Sequence, residues 1–343
     1  PTKQAKTKGV AKKSIPKANN TKKLVEVRQQ IDSLDQQIQS LITERANWAH
    51  KVRAAKGDLK AAVEYYRPER ESQILRRVLD RNEGPLSNEV LLRLFREIMS
   101  ACLAQQEPLK VGYLGPEGTF SQQALHKHFG HSAQSLPLAS IEEVFQEIES
   151  GHADFGVVPV ENSGQGTIQS TLDMFLTSKL KICGEVELRV HQHLLSRTGR
   201  MEDIERVYSH PQSLAQCKAW LRQHLPHAEK IPVSSNAEAA RRARVADDCA
   251  AIAGETAGYV YGLKVIAGPI EDRQDNTTRF LVIGREFFTP SGHDRTSLLV
   301  YVRDQPGALY NVLSPFAKYG VSMNRIESRP AHSGRWQYVF FID

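Results

Sequence analysis

The sequence predicts a multidomain chain in three parts: an all-α helical domain, an α/β domain, and a short α+β piece of βαββ order. Three observations carry this. Apolar residues recur at heptad spacing from Leu24 to Val52, with no Gly or Pro between Thr21 and Lys56. After Pro108 the pattern changes to repeated strand–loop–helix units. Beyond residues 289–294, a linker by composition, one strand, one helix and two further strands follow.

The first helix spans about Thr21 to Lys56, with a seam of Leu24, Val27, Ile31, Leu34, Ile38, Leu41, Trp48 and Val52. At about 1.5 Å per residue it is roughly 50 Å long, more than a lone domain of this size covers. Two chains sharing such helices in a homodimer solve that problem. A second helix runs from Pro68, suited to a first turn, to Arg81, and Glu83-Gly84-Pro85 ends it. A third runs from Ser87, an N-cap, to about Gln106. The helical domain is thus residues 24–107.

In the α/β domain, residues 109–288, strands are expected at 110–114, 153–160, 206–208 and 250–253. Each precedes a polar loop and a helix start: Gly115-Pro-Glu-Gly-Thr-Phe-Ser121, Glu161-Asn-Ser-Gly-Gln-Gly166, Ser209-His-Pro-Gln-Ser213 and Gly254-Glu-Thr256. Functional loops belong at the carboxyl ends of such strands. The last piece, 296–343, has a strand at 296–302, a helix from Ala308 to Tyr319, a strand after Gly320 and a strand at 338–342. It is short for a domain, so a longer natural chain is expected.

Composition excludes several classes. The 343 residues, 40% hydrophobic and 24% charged, are globular in balance. There is no run of about 18 apolar residues to span a membrane, and no apolar h-region at the start. Cys102, Cys183, Cys217 and Cys249 are scattered and read as reduced thiols, not a disulfide frame or zinc site. A cytoplasmic protein without metal is expected. Residues 1–23 hold eight lysines and no acid, leaving 37 basic and 39 acidic residues in the remainder. The basic pI thus belongs to a disordered Lys-rich tail, and no basic domain with interleaved aromatics suggests nucleic acid.

Chemistry is next. Arg45 stands on the helical seam where an apolar residue is expected, and Arg28 flanks it. A guanidinium there needs a partner: either ion pairs within the bundle or an anionic ligand in its core. In the α/β domain, small polar residues at helix starts offer backbone N–H groups to a small anion. Gly164-Gln-Gly166 lacks the third glycine of a dinucleotide turn, and no Walker loop or HExxH is present.

The run Leu24–Lys56 followed by Tyr66-Arg-Pro-Glu-Arg-Glu71 resembles the all-helical chorismate mutases fused to prephenate dehydratases. The resemblance implies that Arg28, Arg45, Lys56, Arg70, Glu71, Cys102 and Gln106 hold chorismate, one first-helix arginine serving the partner subunit's site. Cys102 stands where some members have serine. A pericyclic rearrangement needs no nucleophile. It needs a compact dicarboxylate conformer and charge beside the breaking ether bond, which arginine clamps, Lys56 and Gln106 suit, with Glu71 accepting the ring hydroxyl.

Gly115-Pro-Glu-Gly-Thr-Phe-Ser121, Val158-Pro-Val-Glu-Asn-Ser163, Ser209-His-Pro-Gln212 and Asn276-Thr-Thr-Arg-Phe280, in that order, resemble prephenate dehydratase. The resemblance implies two α/β lobes with the site between them, and dehydration with decarboxylation of prephenate to phenylpyruvate. It makes Thr278 the donor to the leaving hydroxyl, with Thr119, Asn162, Ser163, Ser209 and Gln212 as substrate-binding residues. Glu161 is either lobe-bridging or substrate-facing, and Arg279 either a substrate clamp or a structural ion pair. His210 is a general acid or a hydrogen-bonded loop residue, and Phe280 an apolar wall or core. No cofactor is implied.

Gly307-Ala308-Leu309 and Glu327-Ser328-Arg-Pro330 resemble the phenylalanine-binding motifs of ACT regulatory domains, implying phenylalanine as effector, with Glu327 and Ser328 at an interface of paired domains. Two other readings are weighed. A mutase fused to a dehydrogenase needs a glycine-rich dinucleotide turn, which is missing. A non-catalytic sensor of aromatic metabolites has no need of the full reacting set.

Overall fold

The computed structural model describes residues 18–56, 66–105, 107–303, 305–330 and 338–343. Positions 1–17 of the Lys-rich segment and Gln106 lie outside them. The chain forms two units, one ending at Lys56 and the other starting at Gly57.

The first unit is described by one helix, α1 (Ala18–Lys56), of 39 residues, about 58 Å at 1.5 Å per residue. It starts three residues before Thr21, so the expected tail boundary at residue 23 falls inside it. Its seam residues Leu24, Val27, Ile31, Leu34, Ile38, Leu41, Trp48 and Val52 are all exposed.

The second unit opens with a helical hairpin, α2 (Pro68–Asp80) and α3 (Asn88–Ala104). Pro68 begins α2, and Glu69 and Glu71 favour its positive end. Ser87 Oγ accepts from Val90 N at 3.4 Å, the expected cap of α3. The hairpin docks on the α/β part. Tyr66 shares a core with Phe129 and Phe155, its ring 5.6 and 5.3 Å from theirs.

The first lobe is a mixed sheet of β1 (Lys110–Leu114), β2 (Gln134–Leu138), β3 (Phe155–Asn162), β4 (Gly166–Thr167), β5 (Lys181–Arg189) and β11 (Thr277–Gly284). Its order is β2-β1-β3-β11-β5, with β4 beside β3. The strands β1, β2 and β3 are parallel, and β11 runs antiparallel between β3 and β5. On one face α4 (Phe120–Phe129) buries Leu125 and Phe129 with Val111, Val157, Phe280 and Val282. On the other, α5 (Ile141–Glu149) and α6 (Gln169–Phe175) cover Val158, Val160, Leu281 and Ile283. At Gly156 a Cβ would lie 2.5 Å from Ile148 Cδ1, so only glycine lets α5 approach β3 this closely.

The second lobe is the sheet β10-β6-β9-β7-β8, built from β6 (His193–Ser196), β7 (Arg206–Ser209), β8 (Glu229–Pro232), β9 (Cys249–Ala253) and β10 (Lys264–Ala267). Its helices are α7 (Pro211–Gln216), α8 (Lys218–His224), α9 (Asn236–Ala243) and α10 (Glu255–Tyr261). Buried alanines meet here: Ala239, Ala240 and Ala243 of α9 against Ala251 and Ala253 of β9. Small side chains on both sides bring helix and sheet close.

The chain crosses between lobes after β5 and again before β11. The two crossings touch, Val190 N donating to Asn276 O at 2.9 Å. Because β11 is antiparallel to β3, its first residues lie beside the last residues of β3, so both contribute to one rim.

The last part is an antiparallel sheet β12-β14-β13, of β12 (Leu298–Val302), β13 (Ile326–Pro330) and β14 (Tyr338–Ile342), with α11 (Ala308–Lys318). The strand expected directly after Gly320 starts only at Ile326. Among the described residues no helix is long and apolar enough to cross a membrane.

Candidate active site

The cleft between the lobes is lined from both: Gly118, Thr119, Phe120, Asn162, Asn276 and Thr278 on one side, Gln212, Ser235 and Asn236 on the other. Its volume of about 220 Å³ suits a single-ring metabolite and falls below the roughly 300–1,000 Å³ of sites for larger ligands.

At the rim made by β3 and β11, Thr278 stands opposite Asn162 in the ladder. Asn162 Nδ2 donates to Thr278 Oγ1 at 2.8 Å and to Asn276 Oδ1 at 2.9 Å. Asn162 Oδ1 accepts from Gly164 N at 3.0 Å, which fixes which end of the amide faces Thr278. Thr278 therefore accepts from Asn162 and keeps its own hydroxyl proton for another partner. Ser163 Oγ accepts from Thr277 N at 3.0 Å and ties the loop to β11.

Thr119 lines the cleft as the residue before α4. Its hydroxyl donates to Leu114 O at 3.1 Å and does not cap the helix. The first-turn N–H groups of α4 thus remain available to a ligand. Across the cleft, Asn236 Oδ1 accepts from His210 N at 3.1 Å, and its Nδ2 donates to Ser213 Oγ at 2.9 Å. Ser209 is buried beneath it, its hydroxyl 2.9 Å from Asn236 Oδ1 and 2.8 Å from Ile252 O. Ser209 thus supports the cleft from below. His210 also lines the cleft, and its Nδ1 accepts from Gln212 N at 3.3 Å and caps α7. Phe280 lies in the core with Val157 and Val282. The apolar surface of the cleft comes from Phe120 and Val190.

Arg279 and Glu161 are not among the cleft residues. Arg279 pairs with Glu185 at 2.9 Å, Asp343 at 2.7 Å and Glu161 at 3.4 Å. These are ion pairs of the kind the structural one of its two expected roles requires, and Glu161 is one of the partners. Strand alternation is the reason both lie off the cleft, since neighbours of Thr278 and Asn162 point to the other face. The sequence reading overlooked Asn236, Asn276 and Phe120. Asn276 and Phe120 lay inside quoted motifs, and Asn236 opens α9 as Phe120 opens α4.

The helical set is divided between the units. Arg28, exposed, and Arg45, half-buried, are on α1, which ends at Lys56. Arg70, exposed, and Glu71 are on α2, and Cys102 is buried on α3. Burial pushes the Glu71 carboxyl up to about 7, more than the guanidinium of Arg96, 3.6 Å away, lowers it. If Glu71 accepts the ring hydroxyl of a ligand, the ionised carboxylate makes the stronger bond. Turnover at that site then falls below pH 7 and holds above it. In Glu71→Gln, rates measured from pH 5.5 to 8.5 are expected to be lower throughout and to lack the inflection near 7. An inflection that persists in the variant belongs to another group.

In the last part, Gly307 has φ +80° and precedes Ala308 and Leu309 at the start of α11, Leu309 being exposed. Ser328 is exposed on β13, and the Glu327 carboxylate accepts from Thr167 Oγ1 at 2.6 Å and pairs with Arg325 at 2.7 Å. Among the described residues no group of three or more His, Cys, Asp or Glu is placed to hold a metal.

Comparison with known proteins fits this geometry. The family model for chorismate mutase type II matches residues 27–107, that for prephenate dehydratase residues 111–287, and that for the ACT domain residues 296–343. A bifunctional chorismate mutase/prephenate dehydratase of Stutzerimonas stutzeri is 53% identical over 321 residues, covering 92% of this chain and 88% of that one. A crystal structure of prephenate dehydratase from Arthrobacter aurescens in complex with L-Phe is 35% identical, with a TM-score of 0.60, covering 68% of this chain and 79% of that one. A structure described as a novel type of quorum quenching acylase, GqqA, is 27% identical with a TM-score of 0.62, covering 68% of this chain and 86% of that one.

Proposed function

The chain belongs to the family of bifunctional chorismate mutase/prephenate dehydratases, and we propose that its helical residues rearrange chorismate and its interlobe cleft converts the product. It is an enzyme of aromatic amino acid biosynthesis with both activities. The division of labour among residues is inferred as follows.

In the cleft, the observation that carries the reading is the Asn162–Thr278 hydrogen bond in a site whose lining holds no Arg, Lys, Asp or Glu. Prephenate loses its ring hydroxyl as water and its ring carboxylate as carbon dioxide. The electron pair of the broken C–C bond enters the ring, and one proton goes to the departing hydroxyl. Thr278 gives a hydrogen bond to that oxygen, with Asn162 holding the threonine in orientation, and the proton is replaced from solvent. The cleft places no arginine or lysine among its lining residues. A carboxylate against Phe120 and Val190, without a fixed cation, is easier to release as carbon dioxide. The pyruvyl carboxylate, which is retained, takes the open N–H groups at the start of α4, with Gln212 and Asn236 facing it.

The acylase-named neighbour shares the fold. A hydrolytic acylase needs an activated nucleophile. Among the described residues the hydrogen bonds of the cleft hydroxyls run to amides and backbone, not to a histidine or carboxylate.

For the first reaction we take Arg28, Arg45, Lys56, Arg70, Glu71, Cys102 and Gln106 as the chorismate-binding set. Arg28 and Arg45 are seventeen residues apart on one helix, about 25 Å along its axis at 1.5 Å per residue. That is too far for both to hold one small dicarboxylate, so a site using both draws one from a second copy. We therefore infer a homodimer or higher oligomer, joined along the exposed seam of α1. We further infer a cytoplasmic protein with domains at 24–107, 109–288 and 296–343, and phenylalanine as effector at Gly307–Leu309 and Glu327–Ser328.

Chorismate supplied to the purified chain should yield prephenate and then phenylpyruvate. A folded, oligomeric chain that consumes neither chorismate nor added prephenate would sink this reading in favour of a sensor.

A further inference from the structure

We propose that Arg279 and Arg325 form a relay of ion pairs that positions the Asn162–Thr278 pair from behind the sheet, and that its outer end is Glu327. The proposal rests on the reading of Thr278 as the reacting residue.

Each residue at the reacting rim has a chain neighbour in one charged network on the opposite face. Thr278 is followed by Arg279, Asn162 is preceded by Glu161, and Gly166, paired to Asn162, is followed by Thr167, paired to Glu161. Alternation along a strand sends the members of each couple to opposite faces. Arg279 gathers Glu161 of β3, Glu185 of β5 and Asp343, which follows β14. Asp343 lies 4.0 Å from Arg325. Arg325 Nη2 donates to Thr167 Oγ1 at 2.9 Å and to the Glu327 carboxylate at 2.7 Å. Thr167 Oγ1 in turn donates to that carboxylate at 2.6 Å.

The network therefore closes a path from Glu327 on β13 to both strands of the rim. Its central members are buried, the side chains of Arg279, Arg325 and Asp343 being 11%, 13% and 9% exposed, while Glu161 at its edge is 41% exposed. In such a setting, loss of one partner leaves a charge uncompensated, and the remaining groups rearrange. The strands carrying Glu161 and Arg279 move with them. Positioning errors well under an ångström at Thr278 reduce turnover while leaving the binding groups across the cleft in place. Arg279 is thus a positioning residue, and a ligand that engages Glu327 competes directly with Thr167 and Arg325.

The test uses the full chain and two substitutions away from the cleft, Arg325→Met and Thr167→Val, with Arg279→Lys and the double variant Arg279→Lys/Arg325→Met. Prephenate turnover is resolved into kcat and KM, the mutase rate serves as internal control, and amide hydrogen exchange is followed in residues 161–167 and 277–280. Expected is a fall in kcat of about 3- to 30-fold in each single variant, KM within about twofold, and faster exchange in both segments. The double variant should lose less than the product of the single losses, as residues of one network do. The relay is overturned if Arg325→Met leaves both kcat and exchange at 277–280 unchanged, for then the charges only fasten the third sheet. A rise in KM with kcat intact in Arg279→Lys overturns it too, since that marks a substrate clamp. If the parent makes no phenylpyruvate from prephenate, the reading of Thr278 fails by itself. Exchange at 277–280 in Arg325→Met then still decides whether the relay exists.

Discussion

Thr278→Ala is expected to lower phenylpyruvate formation about 10²–10³-fold, the usual cost of deleting one donor to a developing charge, and to let prephenate accumulate when chorismate is supplied. The substitution is small and its site well supported, which makes the loss specific. Asn162 keeps its bonds to Asn276 and Gly164, and the ladder bonds of β11 belong to the backbone. Thr278 is buried, and stability is expected to fall by about 1 kcal/mol, within the range of one lost hydrogen bond. Thr278→Ser, which retains a hydroxyl, should recover most of the rate, and the mutase rate should be unchanged in both. If Thr278→Ala raises KM for prephenate and leaves kcat alone, the hydroxyl binds substrate without serving the leaving group. Asn162 then loses its assigned task as well, because its orientation of Thr278 is what ties it to the chemistry.

The parts of the fold that strong local signals mark were legible in the sequence. Ser87 as a cap, Pro68 as a first turn and Lys110–Leu114 as a strand are all as the pattern indicates. The strands overlooked have weak patterns for physical reasons. The sequence of β5, Lys-Ile-Cys-Gly-Glu-Val-Glu-Leu-Arg, is an edge strand, half-exposed through its first half and alternating through its second. Phe280 to Ile283 reads as a plain hydrophobic run, and nothing in it says that the strand, separated from β5 by 87 residues, inserts antiparallel between β3 and β5. The same limit applies to the site. The family resemblance marked Asn162 and Thr278 but not that they touch. It left Arg279 open between two roles, because face is set by register, and register by pairing. Asn236 was invisible for a different reason: its place in the cleft depends on the second lobe folding back across both crossings.

Leu34→Asp/Leu41→Asp should abolish dimerisation through α1 and reduce mutase turnover by more than about 100-fold, with dehydratase kcat changed less than about twofold. Eight seam positions from Leu24 to Val52 are exposed on this helix, Leu41 at 64%. An apolar stripe of that length on a water-facing helix calls for a partner. A heptad seam finds its complement in a second copy of itself. Two carboxylates in the seam of each copy would have to be desolvated at a cost of several kcal/mol apiece. Sedimentation of the variant should show the monomer, or an oligomer that has lost this contact. The loss of mutase activity follows from the 25 Å that separate Arg28 from Arg45 along one helix, by the rise of about 1.5 Å per residue, and a sharper experiment isolates that cause. Arg28→Ala and Arg45→Ala should each be inactive as mutases. Mixed and allowed to exchange, they should regain about one quarter of parental activity: half the dimers are then mixed, and one of their two sites holds both arginines. If the mixture stays inactive while subunits demonstrably exchange, both arginines act within one copy. The seam would then have to be covered by something other than a second α1.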